Sequence, residues 1–302
     1  MSLHTPAIAI SQARLVTSGT NRERTTMAII FLALLWLSLL VALVTLAVLI
    51  VDTFITGADR LDSRLLTEYP SSRPGEAGAR PAIIGSAWVI GTTAVLAIPL
   101  GVAAAVHLEV FADRNNRFNR FIEVNIQNLA AIPSIIYGML AISTLALVGI
   151  QNKNIVLGGG LALAMLILPI IIITTREALR AVPVEMRQGS LAMGATELQT
   201  TWRIILPSAV PGIATGTILA LSRALGEAAP LLLLGGLVFI SFDPNGLLSG
   251  FTTMPIQIFG WTSNPQAEFH ELAAAASILL LGILLAMNAV AIAIRNHYQR
   301  RW

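Results

Sequence analysis

Residues 27–51 read MAIIFLALLWLSLLVALVTLAVLIV and contain no charged side chain. A membrane-crossing helix needs about 20 apolar residues, because each residue advances about 1.5 Å through about 30 Å of hydrocarbon. The apolar core of a secretory signal has only about 7–15 residues and ends at a small-residue cleavage site. The sequence Val51-Asp52-Thr53-Phe54 offers no such site. The stretch therefore predicts an uncleaved first transmembrane helix.

Similar apolar stretches follow along the chain. We expect an all-α, polytopic membrane protein with six transmembrane helices, at about residues 27–51, 83–106, 126–150, 155–175, 208–238 and 272–294. The composition agrees, since 55% of the residues are hydrophobic and 12% are charged. A soluble domain has roughly 25% charged residues. The composition thus excludes a soluble two-domain protein.

The arginine distribution predicts the orientation of the spans, because cytoplasmic loops collect Lys and Arg. Six spans with both termini in the cytoplasm place 13 of the 19 basic residues on that side. Seven spans would move Arg295, Arg300 and Arg301 outside. We therefore predict a cytoplasmic tail at 1–26 and a cytoplasmic loop at 176–207. The apolar length after Glu227 is expected to form a re-entrant or interfacial segment on the outer side, and 52–81 a solvated outer connector.

The residue content of the chain excludes several kinds of catalytic and binding site. The chain has no cysteine, which excludes a disulfide framework, a Cys-ligated zinc site and a thiol nucleophile. Its single lysine, Lys153, follows Asn152, so no GxxxxGK[ST] phosphate-binding loop is present. The histidines are scattered along the chain, at His4, His107, His270 and His297. We predict a non-enzyme that binds no metal or cofactor itself.

The cytoplasmic loop 176–207 is too long for a tight turn. Its small residues predict two short helices with a turn near Gly194-Ala195-Thr196, and the Thr196 hydroxyl is placed to cap the second helix. The residues alone leave two interpretations open. The loop is either an amphipathic linker at the membrane surface or a docking surface for a cytoplasmic partner.

A spacing pattern in this loop resembles the signature of ABC importer permeases. Gln188-Gly189-Ser190 is followed by three residues, Gly194, nine residues and Ile204-Ile205-Leu206-Pro207. The first triplet departs from the family, which has Glu-Ala-Ala there. The resemblance implies the type I ABC importer permease fold for 27–302, with a helix centred on Gly189–Thr200 that docks in an ATPase subunit. The implied coupling residues are Gln188, Gly189, Ser190, Gly194, Ala195, Thr196, Leu206 and Pro207.

Further segments resemble the permeases of phosphate importers. These segments are 97–104 (AIPLGVAA), 132–138 (IPSIIYG) and 223–230 (RALGEAAP), while 257–261 (QIFGW) and 269–273 (FHELA) resemble the A-type subunit. The resemblance implies a C-type permease partner, two ATPase subunits that bind ATP-Mg, and an external phosphate-binding protein. It also implies the bacterial cytoplasmic (inner) membrane. The sequence leaves a homodimer open as well.

Two charged residues fall inside the predicted fifth span. Arg223 lies about 18 Å along a helix from Pro211, close to the bilayer midplane. A lone charge there costs about 2.5–3.5 kcal/mol, so we expect Glu227, one turn further on the same helix face, to neutralise it. The pair is either a structural ion pair or a site for an oxyanion, which the guanidinium fork suits.

We favour the oxyanion site and predict a substrate pathway formed by Arg223, Glu227, Ser134 and Tyr137. Phosphate is the expected substrate, and the alternatives are another oxyanion such as sulfate or molybdate. A secondary anion transporter is a further alternative, but it usually contains an internal repeat. We expect His107 and Glu109 to lie at the membrane interface.

Overall fold

The computed structural model describes residues 21–113, 116–236 and 239–298. These residues form helices and loops with no β-strand, which confirms the all-α prediction. The helices are α1 (Asn21–Gly57), α2 (Ser63–Thr67), α3 (Arg80–Val106), α4 (Arg117–Leu129), α5 (Ser134–Leu147), α6 (Val156–Arg180), α7 (Val184–Ala192), α8 (Glu197–Thr200), α9 (Leu206–Leu225), α10 (Ala229–Leu233), α11 (Met254–Thr262) and α12 (Ala267–Tyr298). Single π-helical turns at His107–Phe111 and Thr201–Ile205 follow α3 and precede α9.

The chain divides into a unit at residues 1–52 and a larger unit at 53–302. Within the described residues, five helical segments are long and apolar enough to cross a membrane: Thr26–Arg60, Arg80–Phe111, Val156–Arg180, Glu197–Leu225 and Ala267–Asn296. The pair α4 and α5 makes a sixth crossing if the two helices, bent by 112°, are counted together. The polytopic membrane fold is thus confirmed. Residues 1–20 of the predicted tail lie outside the described part, and 21–26 begin α1.

The close contacts of the larger unit define the direction of each long helix. A Cβ on Gly101 would lie 2.6 Å from Ile171, and one on Gly160 would lie 2.5 Å from Thr92, so α3 and α6 run parallel. Phe269 and Leu272, at the start of α12, pack in one cluster with Ala79 and Ala82 beside the start of α3.

Helix α9 is antiparallel to α3 and α6. A Cβ on Gly212 would lie 2.7 Å from Ala178, and one on Gly216 would lie 2.6 Å from Thr174. Further along α9, the Ser222 hydroxyl donates to Asn288 Oδ1 on α12 (3.1 Å). The C-terminal half of α12 therefore approaches the end of the bundle where α6 ends and α7 begins, here called the α7 end. The opposite end is where α3, α6 and α12 begin.

The predicted third span, 126–150, is wrong as a continuous helix. Its residues belong to α4 and to the 14-residue α5, and the chain turns between Ala130 and Pro133. Proline disfavours helical backbone at the residue before it, and Pro133 itself has φ −53° and ψ 132°. The break separates two helices whose directions differ by 112°.

The predicted fifth span, 208–238, is also too long. Helix α9 ends at Leu225, the five-residue α10 follows, and the chain then continues to the opposite end. There the amides of Val156 and Leu157 at the start of α6 donate to the carbonyls of Ser249 (3.0 Å) and Leu247 (2.8 Å). The segment after Glu227 thus continues from mid-depth to the opposite end, and its expected re-entrant or interfacial course on the outer side stays a prediction.

The connector 52–81 was predicted to be solvated, but part of it is buried. Leu65 is 1% exposed, and Ala77 and Ala79 are equally buried, in a cluster with Trp261 and other residues of α11 and α12. Arg80 donates to Asp243 Oδ2 from Nε (3.1 Å) and Nη2 (2.7 Å). The connector therefore forms a packed cap over the opposite end, because its apolar residues find partners distant in the chain.

Candidate functional site

Arg223 lies at half the depth of the helix bundle. Gly212 of α9 contacts Ala178 of α6, and Gly216 contacts Thr174. The same antiparallel register, extended along α9, places Arg223 opposite the middle of α6. The Arg223 side chain is exposed in the single chain, and Leu219, one turn earlier, is 52% exposed. A guanidinium at that depth is costly against lipid. The Arg223 face of α9 is therefore suited to a protein partner or to an aqueous pathway.

The predicted helical pairing of Arg223 with Glu227 is wrong. The helix ends two residues after Arg223, where the amide of Gly226 donates to the Arg223 carbonyl (3.3 Å) and that of Glu227 to the Ala224 carbonyl (3.2 Å). Glu227 thus lies beyond α9 and is partly exposed. In the part of the chain that the structure describes, no ion pair joins the two side chains.

The other two predicted pathway residues lie at the start of α5. A Cβ on Gly138 would come within 2.6 Å of the Pro230 carbonyl oxygen, so α10 packs on α5. Ser134 is the first residue of α5 and is partly exposed. The buried Tyr137 donates its hydroxyl to the Leu129 carbonyl at the end of α4 (2.6 Å). Tyr137 thus stabilises the bend between α4 and α5.

At the α7 end, the two predicted short helices are confirmed as α7 and α8. Gly194 ends the turn from α7 with φ +85°, a conformation that favours glycine. The Thr196 hydroxyl accepts from the Gln199 amide (3.2 Å), and the Gln199 side chain accepts from the Thr196 amide (3.0 Å), which confirms the predicted cap. The region Gly189–Thr200 is therefore two helices with a turn rather than one docking helix.

The eight predicted coupling residues occupy three parts of this region. Gln188, Gly189 and Ser190 lie in α7, Gly194, Ala195 and Thr196 form the turn, and Leu206 and Pro207 begin α9 after the π-helical turn. The Ser190 and Thr200 hydroxyls are 2.9 Å apart, and Arg187 pairs with Glu197 (3.0 Å). Met193 at the tip is 89% exposed. The result is a braced hairpin that presents an apolar tip away from the bundle.

The sequence analysis missed a charged network beside this hairpin. Glu109, expected at the interface, has a side chain only 6% exposed, and it accepts from Arg176 Nε (3.1 Å) and Arg180 Nε (2.8 Å). Arg176 also donates to Glu123 Oε1 on α4 (2.7 Å). The network joins the ends of α3 and α6 to α4. In the sequence, Arg176 and Arg180 are one helical turn apart and so share a helix face, which is the signal that could have predicted a shared acidic partner.

A cavity of about 230 Å³ adjoins this network, and its polar lining includes Asn119, Arg120, Glu123, Arg176 and Arg180. Among the described residues, no group of three or more His, Cys, Asp or Glu side chains is placed to hold a metal ion. Within this lining, Glu123 and Arg176 pair across α4 and α6.

The geometry defines the class as a polytopic α-helical membrane protein with an exposed helical hairpin at one end. Residues 97–302 match the family described as "Binding-protein-dependent transport system inner membrane component". Because the match covers more than half of the sequence, the chain belongs to this family.

Known relatives agree with this assignment. The chain is 31% identical over 247 residues to "Probable ABC transporter permease protein YqgI" of Bacillus subtilis (strain 168), covering 76% of this chain and 82% of that protein. It is 32% identical over 225 residues to "Phosphate transport system permease protein PstA 1" of Mycobacterium tuberculosis (strain ATCC 25618 / H37Rv), covering 74% and 71%. "Phosphate transport system permease protein PstA" of Haemophilus influenzae is 29% identical over 260 residues, covering 86% and 90%.

Solved structures share the fold. A chain of the bacterial alginate ABC transporter in complex with its alginate pentasaccharide-bound periplasmic protein superposes with a TM-score of 0.64 at 14% identity, over 93% of this chain and 99% of that one. A chain of the MetNI methionine ABC transporter gives 0.57 at 21% identity, over 74% and 96%. The fold is that of ABC importer permeases.

Proposed function

We propose that this chain is a permease subunit of an ATP-driven importer that carries inorganic phosphate across the bacterial cytoplasmic membrane. Family membership supports the permease role, and relatives named phosphate transport system permeases support the substrate. The C-type permease, two ATPase subunits with ATP-Mg, and an external phosphate-binding protein complete the proposed importer. Both chain termini and the α7 end face the cytoplasm in this proposal.

The position of Arg223 is the observation that carries the substrate proposal. It is a charged residue at mid-depth, and it lies on a face of α9 that the chain itself leaves exposed. A second permease that covers this face would remove the guanidinium from lipid and enclose a pathway between the two chains. The planar donor fork then binds two phosphate oxygens with two parallel hydrogen bonds, a fixed geometry that the ammonium group of a lysine lacks.

Glu227 has a separate role in this proposal. Because it lies beyond the end of α9 and is not paired with Arg223 in the described structure, its carboxylate remains available as an acceptor. A monoprotonated phosphate carries a hydroxyl that such a carboxylate can bind, whereas fully ionised sulfate has none. Glu227 therefore favours phosphate over sulfate.

The hairpin of α7 and α8 is the proposed contact with the ATPase subunit. The Arg187–Glu197 pair and the capping box hold its two helices in a fixed arrangement. Met193 and Leu198, which is 56% exposed, offer apolar surface to a groove on the partner. The hairpin joins α6 and α9 directly, so movement of the ATPase reaches the helix that carries Arg223.

Uptake of labelled phosphate and sulfate in cells tests the substrate proposal. Arg223→Gln keeps hydrogen-bonding groups but loses the charge and the fork, so we expect it to lose phosphate uptake while the complex still assembles in a pull-down. Arg73→Gln, which removes an exposed arginine from the connector, is the matched control. Glu227→Gln is expected to reduce the preference for phosphate over sulfate.

Parental phosphate uptake by the Arg223→Gln variant would refute the pathway role of Arg223. Sulfate uptake with no phosphate uptake in the parent would refute the proposed substrate. If Arg223→Gln does not assemble, Arg223→Lys decides the question, because it keeps the charge and removes the fork. An assembled lysine variant with parental uptake contradicts bidentate binding.

A further inference from the structure

Helix α4 is amphipathic and is held at the side of the bundle near the α7 end. Ile126 packs with Ala105 and Ile172, near the ends of α3 and α6. Glu123 binds Arg176, and the Leu129 carbonyl accepts from Tyr137. Because the chain bends by 112° between α4 and α5, α4 crosses the direction of α5 at a steep angle.

The outer surface of α4 combines aromatic and basic side chains. Phe118 is 65% exposed and Phe121 is 64% exposed, both in the apolar arc of the helix. Arg117 and Arg120 are exposed beside them. A helix that lies in the membrane surface has this arrangement, with aromatic residues in the acyl region and arginines at the headgroups.

The charge balance of α4 favours an anionic partner. Glu123 is the one acidic residue of the helix, and Arg176 binds it. In the described ranges, neither Arg117 nor Arg120 has an acidic side chain within ion-pair distance. The two arginines are therefore available to groups outside the chain.

We propose that α4 is a membrane-surface helix that binds anionic phospholipid at the α7 end. Phe118 and Phe121 enter the outer part of the acyl region, and Arg117 and Arg120 bind phosphate groups of the lipid heads. The proposal depends on the membrane location of the chain and not on the anion that it transports.

Single-cysteine labelling tests the placement of α4. The chain has no cysteine, so Phe118→Cys or Phe121→Cys takes one NBD fluorophore on the full chain, reconstituted with its co-expressed subunits in nanodiscs. Gln127→Cys, on the polar side of α4, is the control. We expect nitroxide-labelled lipid chains to quench the labels at 118 and 121, and an aqueous quencher to reach the label at 127.

Shielding of both aromatic positions from both quenchers would overturn the proposal, because a protein partner would then cover this face. Quenching of both positions by the aqueous agent would overturn it as well. If one cysteine variant does not fold, the other position gives the result.

Lipid preference tests the role of the arginines. With the label at 121, nitroxide-labelled phosphatidylglycerol should quench more strongly than nitroxide-labelled phosphatidylcholine at equal content. Each arginine near an anionic surface contributes about fivefold in affinity, so Arg117→Gln with Arg120→Gln should abolish the preference. Arg295→Gln, at the end of α12, should retain it. An unchanged preference in the double variant would overturn the assignment of anionic lipid.

Discussion

Replacement of Glu109 by Gln is expected to destabilise the α7 end strongly. The Glu109 side chain is 6% exposed and accepts from two arginines, at 3.1 and 2.8 Å. Charge-assisted hydrogen bonds contribute about 1.5–3 kcal/mol each, and loss of one partner from a buried pair costs about 3–5 kcal/mol. Gln retains one acceptor oxygen, and Arg176 retains Glu123 at 2.7 Å. We therefore expect the free energy of unfolding to fall by about 3 kcal/mol.

The matched control is Glu123→Gln on the same network. The Glu123 side chain is 38% exposed, so solvent screens its charge and we expect a loss of about 1 kcal/mol or less. The measurement is SDS-induced unfolding of the purified chain in detergent micelles, followed by tryptophan fluorescence. Equal losses for the Glu109 and Glu123 variants would refute the reasoning, because burial would then not determine the cost.

A double-mutant cycle isolates the interaction itself. Arg176→Gln and Glu109→Gln should be non-additive, since each change removes the same hydrogen bond. Additive losses would show that the measured cost arises elsewhere in the two side chains' surroundings.

Tyr137→Phe should reduce the free energy of unfolding by about 1 kcal/mol, because the Leu129 carbonyl loses its hydrogen-bond donor. Phosphate uptake should be retained. Loss of uptake with unchanged stability would favour a pathway role for Tyr137. Gly194→Ala should destabilise the chain by about 1–2 kcal/mol, because φ is +85°. Gly189→Ala, with open space around its Cβ inside α7, should stabilise it by about 0.5–1 kcal/mol. Equal effects of the two alanines would contradict the turn. A reporter fused after Trp302 should be active in a cytoplasmic assay, and activity confined to the outside would refute the proposed orientation.

Hydropathy alone was sufficient to predict where the long membrane-crossing helices lie. The predicted spans 83–106, 155–175 and 272–294 lie almost entirely within α3, α6 and α12. The breaks at Ala130–Pro133 and after Leu225 were missed, because an apolar window reports composition and not the direction of the backbone. Pro133 was a local signal for the first break, and Gly226 ends the second helix.

The candidate functional site also has parts that the sequence could predict and parts that it could not. The Thr196 cap was predictable because its partner, Gln199, is three residues away. The Glu109 network was not, since Arg176 is 67 residues from Glu109 and the contact requires the packing of α3 on α6. The Arg223–Glu227 pair was predicted from helical spacing, which does not apply once the helix has ended between them.

The early end of α9 has a consequence for how the protein is stabilised in its membrane. Among the described residues between Gly226 and Thr253, α10 is the one helix, and backbone carbonyls such as those of Leu247 and Ser249 accept from the start of α6. Non-helical backbone is not tolerated in lipid alone. This segment is therefore not stable in lipid as an independent span. Its polar backbone groups are satisfied only when α5 and α6 are packed beside it, so a stable second half of the bundle requires a folded first half.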